Sequence, residues 1–182
     1  QEPLAAINRA VLAIRQCPKP VLAAINGAAA GAGMNLALAC DLRLATAKAR
    51  FTEAFLNVGL IPDAGGTFFL PRIVGLAKAT ELFLTGQVLD AAEAERLGIV
   101  HKVVPVEEFA AAVSAYAELL AQRPTAAVGR LKALLNASLV AGDLATQAER
   151  ERAAQEASAH TSDFAEGVTA FAEKRMPEFT GK

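Results

Sequence analysis

The chain has 182 residues, nearly balanced charge (18 Lys and Arg against 19 Asp and Glu) and a hydrophobic fraction of 53%. This composition is typical of a globular domain, and it excludes a disordered chain and the strongly basic surface of a nucleic-acid-binding protein. Polar residues and glycines interrupt the longest apolar stretch, 21–40, so we expect no membrane span. Cys17 and Cys40 lack a CxxC spacing, which favours free thiols in a reducing compartment.

The first half of the chain alternates helical and strand patterns. Apolar residues recur at helical spacing over 4–14, and the helix should end before Pro18. The sequence "VLAAIN" (21–26) predicts a buried strand, and the small residues from Ala28 predict the entry to a helix. The alternation over 41–51 then predicts one further strand.

Helical signals dominate the second half. "LAKATELFLTG" (76–86) predicts a helix that closes at its final glycine, and Asp90 is the expected N-cap of the next helix. "VHKVV" (100–104) predicts a last strand. In the C-terminal helices, Asp163 and Glu166 resemble a capping box.

This layout predicts an α/β architecture with two regions. Strand and helix patterns alternate over 1–104, whereas 105–182 contains helical patterns alone. We therefore expect an α/β core at 1–104 that is followed by a helical region at 105–182.

The sequence lacks the residue patterns that several common catalytic and binding sites require. The two histidines, His101 and His160, have no further ligands at metal-binding spacing, so we expect no metal site. The serines lie outside any GxSxG motif, and no phosphate-binding GxxxxGK[ST] motif occurs. The pair Gly31 and Gly33 follows a strand, but Leu36 stands where a dinucleotide-binding fingerprint needs its third glycine.

Two features remain as candidates for function. The backbone N–H groups of Ala32 and Gly33 at a predicted helix start are suited to hold a developing oxyanion. The alternative is that these small residues only permit close packing of the helix. In "GLIPDAGGT" (59–67), Asp63 is the only ionisable residue, and it is either a base in a dry pocket or a turn residue after Pro62.

Two segments of the sequence closely resemble the enoyl-CoA hydratase/isomerase, or crotonase, family. The first is 19–75, which includes "AINGAAAGAGMNLALACDLRLA", and the second is 170–182, "AFAEKRMPEFTGK". The resemblance implies an α/β crotonase-like spiral of strand-strand-helix turns with a C-terminal helical trimerisation region. It also implies a homotrimer or dimer of trimers in the cytoplasm, with no nucleic-acid or membrane partner. The family's N-terminal segment would be missing from the sequence.

The resemblance also implies a substrate and a catalytic arrangement. The substrate would be an acyl-CoA thioester, and no separate cofactor is needed because coenzyme A is part of the substrate. Ala32, in the turn that contains Gly31, would supply one oxyanion-hole N–H, and the second donor would come from the absent N-terminal segment. Asp63 matches the acid/base of an isomerase subgroup, and a dry pocket would make it a stronger base than a solvated aspartate.

Two departures from the family pattern concern water chemistry. Members that hydrate a double bond use two glutamates, whose positions are occupied here by Asn35 and Phe55. We expect Asn35 to make a supporting polar contact or to be structural, and Phe55 to form a pocket wall that excludes water. Glu53 is a second candidate base, although we expect it to face away from Phe55 or towards solvent.

Near the C-terminus, Phe171 and Lys174 match family residues that contact the coenzyme A of an adjoining subunit. The alternatives are a core phenylalanine and a solvated lysine.

Taken together, the resemblance and the departures from the family pattern predict an acyl-CoA isomerase. The competing hypotheses are an enoyl-CoA hydratase, a Δ3-Δ2-enoyl-CoA isomerase and a non-catalytic acyl-CoA-binding subunit.

Overall fold

The computed structural model describes residues 2–182, with side chains from residue 4 onward, and divides into two compact units. The first unit contains the chain up to Arg15 together with Val21–Ala115, and the second contains Gln16–Pro20 together with Tyr116–Lys182. Compactness alone does not define an independently folding domain. The division at residue 104 therefore stays a prediction.

The first unit contains all the strands that the structure describes. The strands are β1 Leu22–Ile25, β2 Ala28–Ala30, β3 Leu42–Thr46, β4 Arg50–Thr52, β5 Leu89–Asp90 and β6 Lys102–Val104. The helices that begin in this part of the chain are α1 Glu2–Gln16, α2 Ala32–Ala39, α3 Gly66–Val74, α4 Leu76–Thr85, α5 Ala91–Arg96 and α6 Phe109–Ala121, with a 3-10 helix at Ala54–Val58.

The strands form two three-stranded sheets. The first has the order β1-β3-β6 and is parallel throughout, and the second has the order β2-β4-β5, in which β2 and β4 are parallel and β4 and β5 antiparallel. Parallel neighbours need crossover connections, and α2 supplies one of them. The main core lies on these strands and the helices around them, and Met34, Phe51, Leu70 and Ile99 are among its fully buried side chains.

The sequence predictions for this unit are confirmed in outline and corrected at three points. Helix α1, helix α4 and the N-cap of Asp90, which accepts a hydrogen bond from Glu93 N, occur as expected. The predicted strand at 41–51 is instead two strands that belong to different sheets. Ala28 begins strand β2 rather than the entry to α2, and helix α3, which contains Pro71, has no counterpart among the predicted elements.

The second unit contains the helices α7 Thr125–Ser138, α8 Leu144–Ala159 and α9 Ser162–Glu173. The predicted capping box at α9 is wrong, because Thr161 is the N-cap and its hydroxyl accepts from Phe164 N. The carboxylate of Asp163 instead accepts hydrogen bonds from the C-terminal tail, from Thr180 N at 2.7 Å and from Gly181 N at 2.9 Å. This contact fastens the tail to the first turn of α9.

The helices of residues 2–182 include none with the length and apolar character that crossing a bilayer requires. Within residues 4–182 neither Cys17 nor Cys40 forms a disulfide; Cys40 is buried, and Cys17 is half-buried.

Candidate active site

The turn that leads into α2 is built by the pairing of β2 with β4. Ala30 lies opposite Thr52, and the next residue, Gly31, donates its N–H to the Thr52 carbonyl at 2.9 Å. Gly31 has φ 52° and ψ −123°, a conformation that favours glycine. A Cβ at this position would lie 3.3 Å from the ring of Phe55. Glycine therefore lets the Phe55 ring pack over the start of the helix.

The N-terminus of α2 presents free backbone donors. Ala32 and Gly33 lie in the first turn, where N–H groups have no partner within the helix, and none of the side chains that the structure describes caps this end. The helix dipole adds a partial positive charge at the same place. This geometry is suited to an oxyanion, as the sequence predicts for Ala32, and the assignment stays a prediction.

The loop before α3 holds Asp63 by its backbone. The Asp63 carbonyl accepts from Gly66 N at 2.9 Å and from Asn35 Nδ2 at 3.0 Å. The side chain is half-buried, and within the described part of the chain its Oδ1 is shielded from solvent without a hydrogen-bond partner. In a typical Asx turn this oxygen would accept from a backbone N–H two residues on. The carboxylate is therefore not used to stabilise the turn.

The residue after Asp63 is in a costly conformation. Ala64 has φ 49° and is followed by Gly65 at φ 81°, so two consecutive residues adopt the left-handed region. That region is unfavourable for alanine by about 1 kcal/mol or more. The Ala64 methyl is buried in a small cluster with Val11 of α1 and Ala39 of α2. Packing against α1 thus stabilises the strained loop that carries Asp63.

Asn35 links the two helices of the site. Its side chain is fully buried at 0% exposure, and it lies against the backbone of Gly66. A Cβ on Gly66 would be 2.6 Å from Asn35 Oδ1 and 2.7 Å from its Cγ, which is closer than real contacts allow. The absence of a side chain at Gly66 therefore permits Asn35 to reach the Asp63 carbonyl.

Glu53 is buried beside Asn35 and Asp63, which corrects the expectation that it could face solvent. It is 1% exposed, and among residues 4–182 neither carboxylate oxygen has a hydrogen-bond partner. Burial raises the pKa of Glu53 to about 7. The nearby Asn35 amide lowers this pKa as a donor, although it lies outside hydrogen-bond geometry. The like charge of Asp63 raises the pKa further.

The sequence contains a signal for the burial of Glu53. Phe51 lies on strand β4 and is 1% exposed, and in a strand every second residue faces the same side. Glu53 directly follows this strand, and extending the alternation by one residue from Phe51 places it on the buried face. Counting from Phe55 gives no such information, because Ala54–Val58 forms a 3-10 helix in which strand alternation ends.

The remaining two predicted site residues lie in the second unit. Phe171 is 87% exposed, so it does not belong to the core of this unit. It lines a cavity of about 490 Å³ together with Phe164, Val168 and Phe179. Lys174 is exposed at the C-cap of α9, where it adopts φ 56°. Contact of either residue with coenzyme A stays a prediction.

Residues 3–182 match the family Enoyl-CoA hydratase/isomerase. A Rhodobacter capsulatus protein named "Probable enoyl-CoA hydratase" is 47% identical over 93% of this chain and 66% of its own length. The 1,2-epoxyphenylacetyl-CoA isomerase of Escherichia coli is 43% identical over 96% of this chain and 66% of its own length. The crystal structure of an enoyl-CoA hydratase from Bacillus anthracis matches 98% of this chain and 69% of that chain with a TM-score of 0.94 at 38% identity. The chain thus spans about two thirds of the length of these relatives.

Proposed function

This chain belongs to the enoyl-CoA hydratase/isomerase family and has its α/β crotonase fold, and from that premise we propose that it is an acyl-CoA isomerase with Asp63 as its acid/base. The carboxylate of Asp63 removes a proton from a carbon near the thioester carbonyl. The electron pair moves into the carbonyl, and the Ala32 N–H stabilises the oxygen of the resulting enolate. Asp63 then returns the proton to a different carbon, so the product is an isomer and no water is consumed.

The observation that carries this proposal is the state of the Asp63 side chain. Its Oδ1 is shielded from solvent and unused by the turn, while hydrogen bonds to its own carbonyl hold the loop in place. One carboxylate that reaches two carbons is sufficient for a proton shuttle. Asn35 and Phe55 occupy the two positions where hydrating members of the family carry glutamates. The Phe55 ring against Gly31 makes the entrance to α2 apolar, which disfavours a bound water.

For the substrate we propose 2-(1,2-epoxy-1,2-dihydrophenyl)acetyl-CoA, an intermediate of phenylacetate degradation. The support is the 43% identity with the Escherichia coli 1,2-epoxyphenylacetyl-CoA isomerase. Phe171 and Lys174 would contact coenzyme A, since an exposed aromatic ring suits the adenine and a cation suits its phosphates. A cytoplasmic homotrimer or dimer of trimers belongs to the same proposal.

The test is mass-resolved product analysis with the epoxide substrate, a 3-enoyl-CoA and a 2-enoyl-CoA. We expect the wild type to give products of unchanged mass and Asp63→Asn to give almost none. Asp90→Asn is the matched control, because Asp90 is an exposed N-cap and asparagine caps helices equally well. Activity that survives in Asp63→Asn would refute the role of Asp63. Acyl-CoA binding without turnover would favour the non-catalytic binding subunit.

Enoyl-CoA hydration is the second candidate, and one observation favours it. Glu53 adds a buried carboxylate near the half-buried Asp63, and hydratases of the family use two carboxylates. A hydratase would give a product heavier by one water and would lose activity in Asp63→Asn and Glu53→Gln alike.

A further inference from the structure

The interior around Asp63 contains more hydrogen-bond acceptors than donors. Both carboxylate oxygens of Glu53, Oδ1 of Asn35 and Oδ1 of Asp63 are buried, and the described residues offer none of them a donor. The Asn35 Nδ2 group is directed to the Asp63 carbonyl, which Gly66 N also bonds. Buried acceptors without donors are costly, and such clusters are rare in native proteins.

Charged neighbours do not resolve this imbalance. The elements around Glu53 are β4 and the 3-10 helix, their neighbours β2, β5, α4 and α5, and the helices α2 and α3 on either side of the Asn35 contact. Besides Asp63 in the loop before α3, the charged side chains of these elements are Arg50, Arg72, Lys78, Glu81, Asp90, Glu93, Glu95 and Arg96. Lys78 pairs with Glu81, and Arg96 pairs with Glu93. Arg50 Nη1 donates to the carbonyls of Lys48 and Ala49, and Arg72 Nη1 donates to the Phe68 carbonyl. The charge acting on Glu53 is therefore the like charge of Asp63.

A buried carboxylate that feels the like charge of a nearby carboxylate, and no compensating cation, favours a state in which it keeps its proton. Glu53 is the more buried of the two, because Asp63 is partly exposed. A proton on Glu53 also supplies the hydrogen-bond donor that the cluster lacks. The geometry thus assigns the proton to Glu53.

We propose that Glu53 is a positioning residue for Asp63: in its neutral form its hydroxyl donates to Asn35 Oδ1 and so orients the amide whose Nδ2 holds the Asp63 carbonyl. The proposal rests on the proposed function, in which Asp63 is the base. Ionisation of Glu53 removes the donor and releases the Asn35 amide. Catalysis should therefore decline on the alkaline side as Glu53 loses its proton, and the decline should appear in kcat, because the substrate contacts are unchanged.

The test compares Glu53→Gln with Glu53→Ala. Glutamine keeps a donor for Asn35 and cannot ionise, so we expect kcat within about twofold of the wild type at acidic pH and no alkaline decline. Alanine lacks the donor, so we expect kcat to fall about tenfold or more at every pH with KM little changed, as for the loss of other supporting contacts. Glu107→Gln, at an exposed position, should keep the wild-type profile.

A second readout does not depend on turnover. Infrared difference spectra between the wild type and Glu53→Gln should contain a protonated carboxylic acid band at pH 5.5 that converts to a carboxylate band by pH 9. A carboxylate band already at pH 5.5 would overturn the proposal. So would a loss of kcat in Glu53→Gln as large as in Asp63→Asn, because Glu53 would then act as a base. If the proposed function itself is wrong, the result is different: the Asp63→Asn variant retains isomerase activity.

Discussion

Replacing Glu53 with glutamine should change how protein stability depends on pH. Glu53 is 1% exposed and has a pKa of about 7 in the folded protein, against an ordinary value of 4.5. The folded state thus binds the proton more tightly than the unfolded state. The stabilising effect is complete below pH 4.5 and is lost as the pH rises through 7. The interval between 4.5 and about 7, at about 1.4 kcal/mol for each pH unit, corresponds to about 3 kcal/mol.

The assay is urea unfolding followed by circular dichroism between pH 4.5 and pH 9. The free energy of unfolding of the wild type should fall by up to about 3 kcal/mol relative to Glu53→Gln over this range, with most of the change complete by pH 8. Glu107→Gln should follow the wild type throughout, because the residue is exposed. Stability curves for wild type and Glu53→Gln that stay parallel would refute the reasoning, since they would show that Glu53 binds its proton equally in both states.

Three further substitutions test other parts of the structure. Gly66→Ala should displace Asn35 and cost about 1–3 kcal/mol in unfolding free energy, together with about tenfold or more of isomerase activity. Asp163→Ala should cost about 2–3 kcal/mol in urea unfolding, because the tail N–H groups of 180–181 lose their acceptor. Lys174→Gln should weaken coenzyme A binding several-fold in calorimetric titration without changing stability.

Each of these variants has a control in the same chain. Gly27→Ala should be mild, because a Cβ there would meet nothing within 4 Å. Glu173→Ala breaks only an exposed ion pair with Arg175 and should cost less than about 1 kcal/mol. Lys48→Gln removes an exposed lysine and should leave coenzyme A binding unchanged. Equal effects in a variant and its control would contradict the contact assigned to that variant.

The elements that sequence patterns predicted correctly depend on local chemistry. Helix α4 closes at Gly86, which adopts the left-handed conformation. The Asp90 carboxylate caps α5 by accepting a hydrogen bond from the backbone N–H of Glu93, three residues later. The loop around Asp63 was predicted from its own glycines and proline. In these cases the interacting groups lie within a few residues of each other, so short-range propensities are decisive.

The errors occurred where a distant partner decides the structure. The small residues from Ala28 form a strand because β4 pairs with them, and Ala30 and Thr52 are far apart in sequence. Asp163 accepts from residues 180–181 rather than capping α9, although its spacing to Glu166 fits a capping box. Local patterns contain no information on such contacts, which arise only when the chain is folded.

The small cluster of Ala64, Val11 and Ala39 gives the first helix an influence on a loop far along the chain. An alanine in the left-handed region keeps that conformation only while its surroundings hold it there. When α1 separates from this cluster, Ala64 is free to return to an ordinary conformation, and the adjacent Asp63 carboxylate moves with it. Partial opening of this kind needs less energy than global unfolding. On warming, the protein should therefore lose catalytic competence at a lower temperature than it loses its sheets.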